Sequence, residues 1–150
     1  MQLTIAADAG WVDTGLQVDP SDDVNISASG SWTPDGVDYA GPDGFFYSPE
    51  SADNYFNTYD LGTCADCATT DAPFWAELIS YTGNSPPEPG SYTSTSVAPQ
   101  AALIDGVGST FQGSWPYSGE IWLGFNDDAY SGNTSDNYGE VTATITVTYP

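Results

Sequence analysis

The sequence has no lysine, arginine or histidine among its 150 residues, whereas 21 residues are Asp or Glu, which gives a formal net charge of −21 at pH 7. Only the N-terminal amine can carry a positive charge, so no salt bridge between side chains can form. Carboxylates crowded on a small globule repel one another, and physiological salt screens this repulsion only beyond about 8 Å. Cations from solution must therefore supply the missing positive charge.

The missing basic side chains exclude several classes of function. Nucleic acids and anionic membranes are recognised mainly through Lys and Arg, so we expect neither as a partner. A histidine base, a lysine Schiff base and a histidine-ligated zinc are impossible. Glycoside hydrolysis would need only two carboxylates about 5–10 Å apart. The acids here fall mostly in predicted turns, where they stay hydrated, so we expect no enzyme activity.

Cysteine is also scarce, because the chain has only Cys64 and Cys67. A structural zinc site would need two further soft ligands, which the sequence lacks. A thioredoxin-type centre would need a lowered thiolate pKa, which the surrounding carboxylates oppose. We therefore favour a small local disulfide or a pair of free thiols for this CxxC motif over a zinc site or a redox centre.

Apolar side chains are plentiful, since 39% of the residues are hydrophobic and 14% are aromatic. This supply indicates a single folded domain over residues 1–150 and argues against disorder. The acidity fits either a halophilic or extracellular surface or a role in calcium binding. Because Ser, Thr, Asn, Gly and Tyr are abundant, we expect an extracellular or cell-surface location.

Alternation of apolar residues with threonine is clearest near the C-terminus, where Val141, Ala143, Ile145 and Val147 alternate with Thr, which predicts a half-buried strand. Further short strands are predicted at residues 3–7, 24–29, 77–81, 101–104 and 120–125. No stretch has a helical period. The pattern predicts an all-β fold, an antiparallel β-sandwich or jelly roll, whose loops carry the function.

Oxygen-bearing side chains are concentrated in residues 125–139, between two predicted strands. Calcium takes about six to eight oxygen ligands, and a loop between paired strands can bring Asp127 near Asp136 and Asn137. The same residue types also make ordinary polar turns. This segment alone therefore leaves a metal site and a plain turn open, and its spacing is not that of an EF-hand.

Several short segments, spread along the chain, form a further pattern when they are taken in order. They are residues 11–18, 22–32, the Gly-Pro-x-Gly turn 41–44, 76–84, 123–127 and 136–139. In this order they resemble the PA-I-like galactose-binding lectins, which are small calcium-dependent bacterial β-sandwich lectins. The resemblance is spread over most of the chain, and each segment alone is a weak match.

The resemblance implies a ligand set for calcium. The side chains of Asp127, Asp136 and Asn137 would bind the ion, together with backbone carbonyls near Asp35 and near Asn133. Two hydroxyls of a neutral sugar such as galactose would complete the shell, while Asp127 and Asp136 accept their hydrogen bonds. A lectin-like, carbohydrate-binding function is thereby implied, with Asn133 also close to the sugar.

The chain departs from the family pattern at the sugar-contacting stretch. The family has His-Pro-x-Gln where this chain has Ser48, Pro49, Glu50 and Ser51. We therefore expect Ser48, Glu50 and Ser51 to contact the sugar with an altered preference. The calcium loop is slightly longer, and Asp136 replaces the first Asn of the family's Asn-Asn pair, which predicts tighter calcium binding.

Aromatic residues suggest two further interpretations. Phe45 and the aromatic residues that follow it to Tyr59 could form a platform for a sugar, although core packing is the commoner use. Trp32 and Trp122 are predicted to be core residues.

The competing function is a structural subunit of an extracellular filament, surface layer or adhesin, in which calcium joins carboxylates of neighbouring copies in a homo-oligomer. An exposed edge of the strand at residues 140–149 would suit such assembly. The two functions differ in whether the calcium keeps open positions for hydroxyls.

Overall fold

The computed structural model describes residues 1–45, 76–85, 104–126 and 134–150, and over these ranges it is a sandwich of two antiparallel sheets. The strands are β1 (Gln2–Ala6), β2 (Val12–Val18), β3 (Asp23–Thr33), β4 (Leu78–Thr82), β5 (Ile104–Gly106), β6 (Thr110–Ser114), β7 (Gly119–Phe125) and β8 (Tyr138–Thr148). A 3-10 helix, Thr134–Asp136, precedes β8. No helix in these ranges has the length and apolar content of a membrane span. The predicted all-β sandwich is confirmed.

The two sheets have the strand orders β1-β8-β3-β6 and β2-β7-β4-β5. The longest pairing joins β3 and β8, with a register that runs from Asp23 opposite Thr148 to Thr33 opposite Tyr138. Near the end of this pairing at Thr33 and Tyr138, Trp32 connects the two sheets. Its indole Nε1 donates a 2.8 Å hydrogen bond to the carbonyl oxygen of Ala76, which lies just before β4 of the other sheet. The end of β3, the start of β8 and the start of β4 therefore lie at one rim of the sandwich.

The core between the sheets is formed by the inward residues of the alternating strands. Its largest fully buried side chains are Trp32, Trp115, Ile5, Ile26, Leu78, Ile121, Leu123 and Ile145. Both tryptophans have a hydrogen-bond acceptor, since Trp115 Nε1 donates to Thr82 Oγ1 at 2.9 Å. Their apolar surface is thus buried without leaving an indole N–H unsatisfied.

The observed strands confirm most of the predicted ones and correct others. The strand β6 was not predicted, because the side chains of Thr110–Ser114 alternate between exposed and half-buried and none is fully buried. The strand β8 is not an edge strand, since it pairs with β1 on one side and β3 on the other. Residues 140–144 therefore offer no free edge for assembly, contrary to the hypothesis for that part of the strand.

The aromatic predictions have mixed outcomes. Trp32 is fully buried, as expected. Trp122 is only half-buried, because it alternates with the inward residues of β7, and its Nε1 donates to the Gly83 carbonyl at 3.0 Å. Phe45 packs against the core. The aromatic residues from 46 to 59, together with Cys64 and Cys67, lie outside the described residues.

Gly139 is a position where a side chain cannot be accommodated. Its φ is +90°, and a Cβ atom there would collide with the Ser31 carbonyl oxygen on the paired strand and lie 2.8 Å from Trp32 Cα. We expect Gly139→Ala to lower the free energy of unfolding by roughly 2–3 kcal/mol, through positive-φ strain and strand separation. Gly15→Ala is the matched control, since Gly15 has φ +66° and open space. Equal losses in urea denaturation of the two variants would contradict this prediction.

Asp105 on β5 is a partly buried carboxylate without a cationic neighbour. Burial of Asp105 raises its pKa. The pKa of Tyr117 is raised by burial of the Tyr117 hydroxyl and, in addition, by the nearby negative charge of Asp105. A raised folded-state pKa means that the folded protein binds the proton more tightly than the unfolded chain. The contribution of Asp105 to the free energy of unfolding is therefore favourable at low pH, and it is lost as the pH rises through the folded-state pKa of Asp105.

We accordingly expect Asp105→Asn to raise the melting temperature by a few degrees at pH 7 and to change it little at pH 3. Asp8→Asn is the control, because Asp8 is exposed and its replacement removes the same charge. Calorimetric melting curves at both pH values test this expectation. A gain as large for Asp8→Asn would show that relief of the overall charge, not burial of Asp105, is responsible.

Candidate functional site

The rim at which β3 ends and β8 begins also contains the end of β7. Asn126 follows β7 and is anchored to the start of β4, because Ala76 N donates to its carbonyl at 2.8 Å and its own N–H donates to Glu77 O at 3.0 Å. Directly beneath, the rings of Trp32 and Phe125 are in contact, with centroids 4.5 Å apart. The rim thus rests on a buried part of the core.

Asn137, directly before β8, is a buried polar residue at this rim. It is only 4% exposed, and its Nδ2 donates a 3.3 Å hydrogen bond to the Ala7 carbonyl oxygen. The other amide atom, Oδ1, is buried and has no hydrogen-bond partner among the described residues. A buried acceptor left unsatisfied costs about 1–3 kcal/mol, so this oxygen fits a cation or another donor that is bound from outside.

Two further side chains at this rim, those of Asp136 and Asn126, have buried oxygen atoms. Asp136 ends the 3-10 helix immediately before Asn137, and its Oδ1 is shielded from solvent. Asn126 is 1% exposed, with its Oδ1 likewise buried. Carboxylate and amide oxygens are the donors that calcium prefers. Asn126 was not predicted as a site residue, although its place directly after a buried strand and before Asp127 is a signal that could have indicated it.

The turn after β3 is organised by the carboxylate of Asp35. Its Oδ1 accepts hydrogen bonds from Thr33 Oγ1 at 2.9 Å, Val37 N at 2.8 Å and Asp38 N at 2.9 Å. The backbone N–H of Asp38, followed by that of Val37, holds the pKa of this carboxyl below its ordinary value. Asp35 Oδ1 thus holds the turn together, and the metal role predicted near Asp35 belongs to a backbone carbonyl.

At Gly36 this turn lies against the residues that lead into β8. A Cβ atom built on Gly36 would lie 3.3 Å from Tyr138 Cε2 and 3.7 Å from the backbone oxygen of Asp136. The turn at Asp35 therefore lies beside Asp136 and Asn137, residues about one hundred positions later in the chain. The structure brings these three predicted residues to one place, while their role as ligands stays a prediction.

The remaining predicted site residues, Asp127, Asn133, Ser48, Glu50 and Ser51, lie outside the described residues. Within the described ranges, no three Asp, Glu, Cys or His side chains converge.

The two four-stranded sheets form an antiparallel β-sandwich. Among solved structures, the chain is similar to the N-terminal domain of EclA, described as a PllA-like lectin, with a TM-score of 0.60 and 16% sequence identity. The match covers 98% of this chain and 95% of that one. At this identity the likeness concerns the fold. No protein-family model matches the sequence, and no curated protein matches it significantly.

Proposed function

We propose that this domain is a calcium-dependent carbohydrate-binding module, similar to the PA-I-like lectins, that holds a neutral sugar such as galactose through hydroxyls on the calcium. The observation that carries the proposal is the buried Oδ1 atom of Asn137, which has no hydrogen-bond partner among the described residues and lies beside Asp136. The lectin-type fold of the structural neighbour supports it.

In this proposal the side chains of Asp136 and Asn137 and the backbone carbonyl near Asp35 hold the ion. Asp127 and a carbonyl near Asn133 complete the protein ligands, as the family resemblance implies. Bound calcium supplies coordination positions that two vicinal hydroxyls can occupy in place of water. The carboxylates at the rim then accept hydrogen bonds from those hydroxyls, which fixes the orientation of the sugar.

The overall charge limits the choice of ligand. With a net charge of −21 and no basic side chain, the protein repels anions, so an acidic polysaccharide is a poor partner. A neutral sugar avoids this repulsion, and the calcium itself offsets part of the local charge. We also propose that the domain is not an enzyme and that it acts outside the cell, where calcium is abundant.

The direct test is calorimetric titration of galactose and other neutral sugars into chelator-treated protein, with and without added calcium. Calcium-dependent sugar binding would establish the proposal. Calcium binding without any response to sugar, together with calcium-driven assembly in light scattering, would favour a structural subunit instead. A protein that does not bind calcium at all would refute the site.

A further inference from the structure

Tyr138 presents an aromatic ring at the edge of the candidate metal centre. It is the first residue of β8 and follows Asn137 directly, yet 55% of its surface is exposed. The edge of its ring lies over Gly36, because a Cβ built on Gly36 would be 3.3 Å from Cε2 and 3.5 Å from Cδ2. The same point lies 3.7 Å from the Asp136 backbone oxygen. The ring is thus held beside the oxygen-lined rim with much of its surface open to solvent.

Exposed apolar side chains are concentrated at this rim. The described residues expose five large hydrophobic side chains, and three of them, Val37, Tyr39 and Tyr138, belong to the turn after β3 or to the adjacent start of β8. Val37 is 76% exposed and Tyr39 is 59% exposed. Large apolar side chains clustered at a polar rim are typical of a binding surface. A purely structural role would explain the contact of Tyr138 with Gly36, but not the exposure of the two neighbours.

We infer that Tyr138 is an aromatic subsite for the C–H face of a pyranose ring bound at this rim. A pyranose has hydroxyls around its edge and an apolar patch of C–H groups on one face. The calcium that Asp136 and Asn137 would hold suits the hydroxyl edge, and the exposed ring of Tyr138 suits the C–H face. The inference rests on the proposed function and deepens it, because it names a residue that selects sugars by the shape of their apolar face.

The chain has no basic side chain that could attract an anion to this subsite, which supports a neutral occupant. The ring offers dispersion and C–H contacts that need no cation, and a second copy of this chain would bring a second set of carboxylates to the same rim. Gly36 also has a defined part in the geometry, since any side chain there would press against the Tyr138 ring. The ring therefore lies against the turn that Asp35 organises.

The test uses the full chain in saturating calcium and the methyl glycosides of galactose, glucose, mannose and fucose as probes. Proton NMR should show upfield shifts of sugar ring protons in the wild type, caused by the ring current of Tyr138. We expect Tyr138→Ala to abolish these shifts and to weaken sugar binding roughly 3- to 10-fold. Tyr138→Phe should bind within about twofold of the wild type, since stacking needs the ring and not the hydroxyl.

The control is Tyr149→Ala, because Tyr149 is 61% exposed but lies beyond β8 at the opposite end, with its hydroxyl 3.5 Å from the Gln17 carbonyl oxygen. It should leave sugar binding and the NMR shifts unchanged. Calcium affinity, measured separately by titration, should be the same in Tyr138→Ala as in the wild type.

Each other outcome overturns the inference in a recognisable way. If the wild type binds none of the sugars in calcium, the proposed function fails and the subsite fails with it. If the wild type binds a sugar and Tyr138→Ala binds it equally well, only the subsite is refuted. A parallel loss of calcium affinity in Tyr138→Ala would show that the ring supports the metal loop, and association of the protein through this face would show that a second copy occupies it.

Discussion

Replacing Trp32 with alanine is expected to lower the free energy of unfolding by about 3–5 kcal/mol, the range for truncating a fully buried tryptophan. Trp32 is 0% exposed, its ring contacts Phe125, and its Nε1 donates the hydrogen bond to Ala76 O that joins the two sheets. The truncation would therefore leave a cavity and an unsatisfied carbonyl at the rim. Urea denaturation followed by circular dichroism measures the change.

Two variants separate the causes of this loss. Trp32→Phe keeps an aromatic ring but removes the indole N–H, so it should cost less than Trp32→Ala while still affecting the contact with Ala76 O. Trp122→Ala removes the same side chain from a half-buried position on the outside of β7. We expect the smallest loss from Trp122→Ala, and a loss equal to that of Trp32→Ala would contradict the description of Trp32 as the residue that joins the sheets.

The fold was predictable from the sequence where burial and alternation coincide. The strand β8 is the clearest case, because its inward residues Val141, Ala143 and Ile145 are buried and the threonines between them are not. The strand β6 has no such alternation of buried and exposed residues, because its side chains are half-buried at most. Its place in the sheet depends on backbone pairing with β3, which the local sequence does not reveal. Strand order was also hidden, because it depends on pairings between distant segments.

For the candidate site, the sequence predicts which residue types are present, but it does not predict which of them lie close together in space. Asp136 and Asn137 stand in an oxygen-rich loop, which local sequence shows. Their closeness to the turn at Asp35 follows from the β3–β8 register, in which Thr33 lies opposite Tyr138. The sequence predicts no role for Tyr138 within the segment 136–139, because nothing in its local pattern distinguishes an exposed strand tyrosine from a core one.

The response of stability to calcium should depend on Asn137. For a ligand that binds only the folded state, calcium at one hundred times its dissociation constant adds about 2.7 kcal/mol to the free energy of unfolding. Loss of one liganding oxygen should weaken calcium binding by at least about tenfold. At the same calcium concentration Asn137→Ala should then gain no more than about 1.4 kcal/mol. Denaturation with calcium and with chelator gives this difference for each protein.

The informative quantity is the difference between the free energies of unfolding measured with calcium and with chelator. Asn137→Ala also removes the hydrogen bond from Nδ2 to Ala7 O, so it lowers stability both with and without calcium. Asn25→Ala is the matched control, since Asn25 is an exposed residue of β3 that pairs with Thr146, away from the rim. Its gain from calcium should equal that of the wild type. If Asn137→Ala also keeps the full gain, the buried oxygen of Asn137 is not a calcium ligand, and the ion is held elsewhere in the molecule.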